Sequence, residues 1–136
     1  MHYVLVEKKE RRKDMQQRLT KKELEIMNLY WDKGPMFVRE LLDCYDEPKP
    51  ALTTLSTMVR ILEQKGFMGH KTYGTAHQYY PLLTRDEYKK RSLTSLISDF
   101  FEDSSLKVVS TLVKEDKITL EELKDLIAQI EAGEEV

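Results

Sequence analysis

The chain has 136 residues, of which 34% are charged and 40% are hydrophobic, and its formal net charge at pH 7 is -2. That length fits one compact domain or two small ones. The sequence holds no 18-residue apolar stretch and no signal peptide, and a single cysteine, Cys44, excludes a disulfide framework within the chain. We therefore expect a cytoplasmic protein without membrane insertion.

Residues 1–18 carry a net charge of +3, and we expect a poorly ordered, disordered N-terminal arm; a short strand at Tyr3 to Val6 and a helical extension from Glu10 are the alternatives. A first helix is predicted from about Thr20 to Asp32, because Thr20 and Glu23 have the spacing of a capping box and apolar residues follow at helical intervals. The sequence Lys33-Gly34-Pro35 ends this helix. A second helix is predicted from Met36 to Tyr45.

The two prolines of residues 46–50 separate the second helix from a third, which we predict over 51–66. At 100° per residue its apolar side chains fall on one arc, and the opposite arc holds Thr53, Ser56, Thr57, Arg60 and Gln64. An ordinary amphipathic surface helix would show the same division. Threonine is a mediocre helix former, however, and short hydroxyl side chains can approach phosphates and base edges closely.

A β-hairpin is predicted after this helix, over residues 67–82. Tyr73-Gly74 is the expected tip of its turn, because glycine tolerates a positive φ, and Pro81 is expected on an edge strand. Two helices joined by a turn and followed by a hairpin predict a winged helix-turn-helix over residues 19–83. The third helix of such a fold fits the major groove of DNA.

Residues 84–136 read as helix throughout, with a net charge of -5. Three short helices cannot easily bury this much apolar surface alone. Packing against the winged domain is one solution, but we favour an all-α dimerisation domain, since twofold dimers are the commonest oligomers. The expected interface residues are Leu96, Ile97, Phe100, Phe101, Leu106, Val109, Leu112, Leu123, Leu126, Ile127 and Ile130. The fold class is thus mainly α with a small β-hairpin.

The order of these elements resembles the BlaI/MecI/CopY family of bacterial repressors, also called the penicillinase repressor family. The matching pieces are LTKKELEIMNLYW (19–31), Thr54-x-x-Thr57, LEQKGF (62–67), QYYPL (78–82) and ITLEELKDLI (118–127). The resemblance implies a homodimeric transcriptional repressor that binds an inverted-repeat operator in double-stranded DNA.

The resemblance also implies functional residues. The base-contacting positions of the family fall on Thr53, Thr54, Ser56 and Thr57. Some members carry Lys and Arg where this chain has Thr53 and Ser56, so we expect its operator to differ from the family's usual TACA/TGTA boxes. Arg60 would partly compensate for the missing arginine. The hairpin over residues 67–82 is the wing of this fold, and its Lys71 and Tyr73 would contact the DNA backbone.

Members that control β-lactam resistance are inactivated by proteolysis in the C-terminal domain, downstream of a membrane-bound sensor protease. The aligned bond here is Thr111-Leu112, which replaces the Asn-Phe pair of some relatives. Copper-responsive members carry a C-terminal Cys-x-Cys motif, and this chain has no cysteine after Cys44.

Other chemistry finds little support in the sequence. His70 and His77 flank the predicted turn, but two imidazoles make only half of a zinc site. We expect no metal, no cofactor and no catalytic residues, because no nucleophile–base spacing or phosphate-binding loop is present.

Residues 19–83 have no net charge, which leaves open a winged-helix protein-interaction module without specific DNA binding. A regulator that senses a small molecule between its two domains is a further alternative.

Overall fold

The computed structural model describes residues 18–134, and most of the predicted N-terminal arm therefore lies outside the described residues. Contacts divide the chain into two compact units, one up to Ser92 and one from Leu93 on. We call their described parts the winged unit (18–92) and the C-terminal unit (93–134). The winged unit contains α1 (Lys21–Lys33), β1 (Met36–Phe37), α2 (Val38–Asp43), α3 (Leu52–Gln64), β2 (Met68–Tyr73), β3 (Ala76–Pro81) and the start of α4 (Arg85–Phe100).

The sheet of the winged unit is antiparallel, with strand order β1-β3-β2. Strand β1 pairs with the middle of β3, where Met36 lies opposite Tyr79 and Phe37 opposite Gln78. The buried hydroxyl of Tyr30 donates a hydrogen bond to the carbonyl of Met36, which joins α1 to this strand. The three helices and the sheet together form a winged helix-turn-helix.

One hydrophobic core fills the winged unit. Its fully buried side chains come from α1, α2, α3 and β2, and they include Tyr30, Ile26, Met27, Leu41, Leu55, Leu62, Met68 and Val59. The start of α4 is fastened to the same unit, because the ring of Tyr88 lies against Trp31 and Phe67. Arg85 also donates hydrogen bonds to Asn28 and Asp32 of α1.

The predicted second helix was too long at both ends. Residues 36 and 37 form strand β1 instead, and α2 covers only Val38–Asp43. Gly34 ends α1 with a φ of 84°, after which the chain is extended. The Glu40 carboxylate then accepts a hydrogen bond from the backbone N–H of Phe37, which fixes the start of α2 two residues later than predicted.

Two details of the predicted hairpin were also wrong. Its two-residue turn is Gly74-Thr75 rather than Tyr73-Gly74, because Tyr73 pairs with Ala76 in the ladder. Gly74 has a φ of 62°, and the turn therefore uses glycine because glycine tolerates a positive φ, as expected. Pro81 lies on the central strand, β3, and not on an edge. It is tolerated there because β1 pairs only with Gln78 and Tyr79, so Pro81 has a neighbouring strand on one side alone.

The C-terminal unit consists of the rest of α4, α5 (Ser105–Lys114) and α6 (Leu120–Glu131). Ser104 caps α5 by accepting a hydrogen bond from the N–H of Lys107, and Thr119 and Glu122 form the predicted capping box of α6. Mainly α structure with a small sheet, as a winged helix followed by an all-helical region, is confirmed. Among residues 18–134 no helix is long and apolar enough to cross a membrane.

Candidate nucleic-acid interface

Helix α3 is held in the winged unit by its apolar side. Leu55, Val59 and Leu62 are at most 2% exposed, and all three belong to the core. Burying each of these side chains stabilises the fold by about 1.5–3 kcal/mol. The polar side of the same helix is consequently fixed toward solvent.

The C-terminal end of α3 is fastened to α1 by an ion pair. Lys65 Nζ lies 2.9 Å from both carboxylate oxygens of Glu23, which is 5% exposed. Burial alone would raise the pKa of the Glu23 carboxyl, but hydrogen bonds from Lys65 and Thr20 together lower this pKa below its usual range. The capping box predicted at Thr20 and Glu23 is therefore present, and its carboxylate also sets the position of α3.

The predicted DNA-contacting residues of α3 lie on its outer side. Thr53, Thr54, Thr57 and Arg60 are exposed, and Ser56 is half-buried. The Thr57 hydroxyl donates to the Thr53 carbonyl at 3.0 Å. The hydrogen bonds of Arg60 are long, at 3.4 Å to the Ser56 carbonyl and 3.5 Å to the Thr57 hydroxyl. These contacts stay within one helix, so DNA groups can replace them without disturbing the core.

The two predicted residues of the wing have different surroundings. Lys71 is exposed on β2 opposite Gln78 and carries its charge in solvent. Tyr73 is 54% exposed, and its ring packs edge-on against Phe37 with centroids 5.8 Å apart. Tyr73 thus also links the tip of the hairpin to Phe37 of β1, a role that its sequence position did not indicate.

The histidines of the hairpin form a cluster with a residue of α3. The rings of His70 and His77 are 4.4 Å apart, and His70 Nδ1 lies 2.5 Å from a carboxylate oxygen of Glu63. Sequence reasoning missed Glu63, because its contact with His70 depends on how α3 packs on the sheet. No group of three or more His, Cys, Asp and Glu side chains within residues 18–134 is arranged to hold a metal ion.

The apolar residues predicted for dimerisation remain uncovered in the single chain. Phe100 is 67% exposed, Leu106 81% and Ile130 58%, and the other eight are exposed or half-buried. The Thr111-Leu112 bond lies inside α5, where the Thr111 hydroxyl donates to the Lys107 carbonyl.

Comparison with known proteins identifies relatives of this chain. A model of the penicillinase repressor family matches residues 19–132. The methicillin resistance regulatory protein MecI of Staphylococcus aureus is 23% identical over 105 residues, which cover 76% of this chain and 85% of that protein. The MecI proteins of Staphylococcus epidermidis and Mammaliicoccus sciuri align over the same shares at 23% and 22% identity.

Proposed function

Because the chain belongs to the penicillinase repressor family, we propose that it is a homodimeric transcriptional repressor that binds an inverted-repeat operator through α3 and the wing. The observation that carries this proposal is the exposed polar side of α3, which the core and the Glu23–Lys65 ion pair hold in one orientation. The family is one of regulators, and the function proposed here needs no catalysis.

The proposed DNA contacts divide by chemistry. Thr53, Thr54, Ser56 and Thr57 occupy the first two turns of α3, where short hydroxyl side chains let a helix enter the major groove deeply. Arg60 follows on the same side, and its guanidinium can take a guanine edge or a phosphate. Lys71 and Tyr73 of the wing would contact the DNA backbone, which adds affinity without reading sequence.

The proposed dimerisation domain, residues 84–136, would join two chains into a twofold-symmetric dimer. Its described helices leave large apolar side chains in solvent, and contiguous exposed apolar surface marks an interaction site. A second copy of the chain would cover these side chains with an identical set. Two winged domains, each over residues 19–83, would then face two operator half-sites, which explains why the operator is expected to be palindromic.

Proteolysis in the C-terminal domain is the proposed route to derepression, with a membrane sensor protease as the upstream partner. Proteases cleave extended segments, whereas Thr111 and Leu112 are helical. Cleavage at this bond therefore requires local unwinding of α5. Limited proteolysis of the purified protein, followed by mass spectrometry of the fragments, tests whether the first cut falls at Thr111-Leu112. A first cut between Ile118 and Thr119, outside the helices, would contradict the assignment to Thr111-Leu112.

A gel-shift of the full chain against its own upstream promoter DNA, at two salt concentrations, tests the repressor function. We expect a dimer-stoichiometric shift that survives competitor DNA and weakens steeply as salt rises. Absence of specific binding at both salt concentrations, together with intact dimers and failure to select any sequence from a random DNA library, would instead favour a protein-interaction module. The neutral charge of residues 19–83 is the observation behind that second function.

The double substitution Thr57→Ala with Arg60→Ala tests the recognition helix. We expect operator affinity to fall about tenfold or more, because each lost base contact costs about 1–3 kcal/mol of discrimination. Lys89→Ala with Arg91→Ala is the matched control, since both residues are exposed on α4 and are assigned neither to DNA nor to the dimer interface. Unchanged affinity in the first variant, measured by fluorescence anisotropy, would refute the assignment of α3.

A further inference from the structure

The winged unit contains a groove that the proposed DNA contacts line on one side only. It lies between the start of α2, the outer side of α3 and strand β3, and has a volume of about 670 Å³. Volumes of this order are typical of small-molecule sites. Its walls are mainly apolar and include Phe37, Leu52, Ala76 and Tyr79.

Two guanidinium groups give the groove a positive charge. Arg39 of α2 and Arg60 of α3 both line it, and neither forms an ion pair within the part of the chain that the structure describes. Glu40 supplies the only carboxylate of the lining, and one of its oxygens already accepts the Phe37 N–H at 3.0 Å. The two arginines and one glutamate of the lining together contribute a formal net charge of +1.

The combination of apolar walls and available guanidinium groups defines the chemistry of a ligand. An aromatic or branched aliphatic body would displace water from the rings of Phe37 and Tyr79. A carboxylate on the same molecule would receive charge-assisted hydrogen bonds from arginine, which are about twice as strong as neutral ones. We propose that this groove binds a small organic acid of that kind, and that the bound acid excludes operator DNA.

The exclusion follows from shared residues. Ser56 and Arg60 line the groove and also belong to the side of α3 assigned to DNA. An acid held by Arg60 therefore removes a DNA contact and places a negative charge where a phosphate or base edge would come. This second half of the inference rests on the repressor function proposed above, whereas binding of the acid to the free protein does not.

The experiment uses the full chain without DNA and four probes, namely benzoate, phenylacetate, 4-phenylbutyrate and indole-3-acetate. We expect at least one of them to shift the amide NMR signals of Leu52 and Ala76, while its neutral amide analogue does not. Arg39→Gln should weaken this binding about tenfold or more, because a charge-assisted bond is lost. Arg91→Gln, an exposed arginine on α4 outside the groove, is the matched control.

Competition is then measured by anisotropy with the operator. At an acid concentration about ten times its dissociation constant, the apparent dissociation constant for DNA should rise about tenfold. No binding by any probe up to about 10 mM, or binding with signal shifts only outside the groove, would overturn the ligand site. Acid binding in the groove without any effect on operator affinity would overturn the exclusion. If the chain binds acid but no DNA, the repressor function fails and the ligand site stands.

Discussion

The two units of this protein differ in how far their apolar residues are buried. The winged unit buries a single cluster that joins its helices to its sheet. In the C-terminal unit no described residue is buried, although its helices carry apolar side chains at helical spacing. The winged unit therefore buries a hydrophobic core by itself. The C-terminal unit has apolar side chains at the spacing of a core-facing helix, but they are not buried within the single chain.

The substitution Leu123→Asp should have the largest effect on this comparison. If a second chain covers α6, the new carboxylate is buried without a partner, which costs several kcal/mol. We expect the dissociation constant of the dimer, measured by sedimentation equilibrium, to rise about 100-fold or more. Gln129→Asp adds the same group at an exposed position of α6 and should leave the dimer intact. A Leu123→Asp protein that still sediments as a dimer would place the interface elsewhere.

A pair of leucine-to-alanine substitutions compares the units directly. Leu62 is completely buried, so Leu62→Ala should lower the free energy of unfolding of the winged unit by about 2–5 kcal/mol at any protein concentration. Leu126 is 39% exposed in the single chain, and Leu126→Ala should weaken stability only through the dimer. Denaturation at two protein concentrations measures both. A concentration-independent loss in Leu126→Ala would show that the C-terminal unit is stable without a partner.

Replacing Glu23 by Gln should have a smaller effect, confined to the winged unit and dependent on pH. We expect a loss of about 1–3 kcal/mol at neutral pH, because Lys65 loses a charged partner at a largely buried site. The pKa of Glu23 is lowered in the folded protein, so its contribution is present above the unfolded value and is lost as pH falls through the folded one. The difference in stability between the two proteins should therefore begin to shrink below pH 4.5, the ordinary pKa of glutamate, and vanish only below the lowered pKa of the folded protein. A difference that persists unchanged in acid would contradict the role of this ion pair.

Local signals in the sequence predicted much of the fold. The Thr20–Glu23 and Thr119–Glu122 pairs act as capping boxes because that motif needs only a hydroxyl and a carboxylate three residues apart. Strand β1 was missed because two residues carry no periodicity, and its existence depends on pairing with Tyr79, more than 40 residues later. The turn was misplaced by one residue because either position suits a glycine.

The candidate site is less predictable, because it too depends on contacts between residues that are far apart in the sequence. The polar side of α3 follows from helical angles, but the groove beside it requires α2, α3 and β3 to meet. Arg39 stood out in no motif, and only the packing of α2 brings it to the same groove as Arg60. The proposed base recognition by Thr53 and Ser56 depends in addition on the sequence of the DNA, which the protein sequence does not contain.

Strand β1 also sets how freely the hairpin can change in length. Strand β1 pairs with β3 only at Gln78 and Tyr79, so residues 72–77 project beyond the three-stranded part of the sheet. An insertion of two residues after Gly74 keeps the alternation of the ladder and leaves the pairing of Met36 with Tyr79 unchanged. If the wing contacts DNA as proposed, its reach is adjustable independently of the fold, and variants with longer hairpins offer a way to change operator affinity.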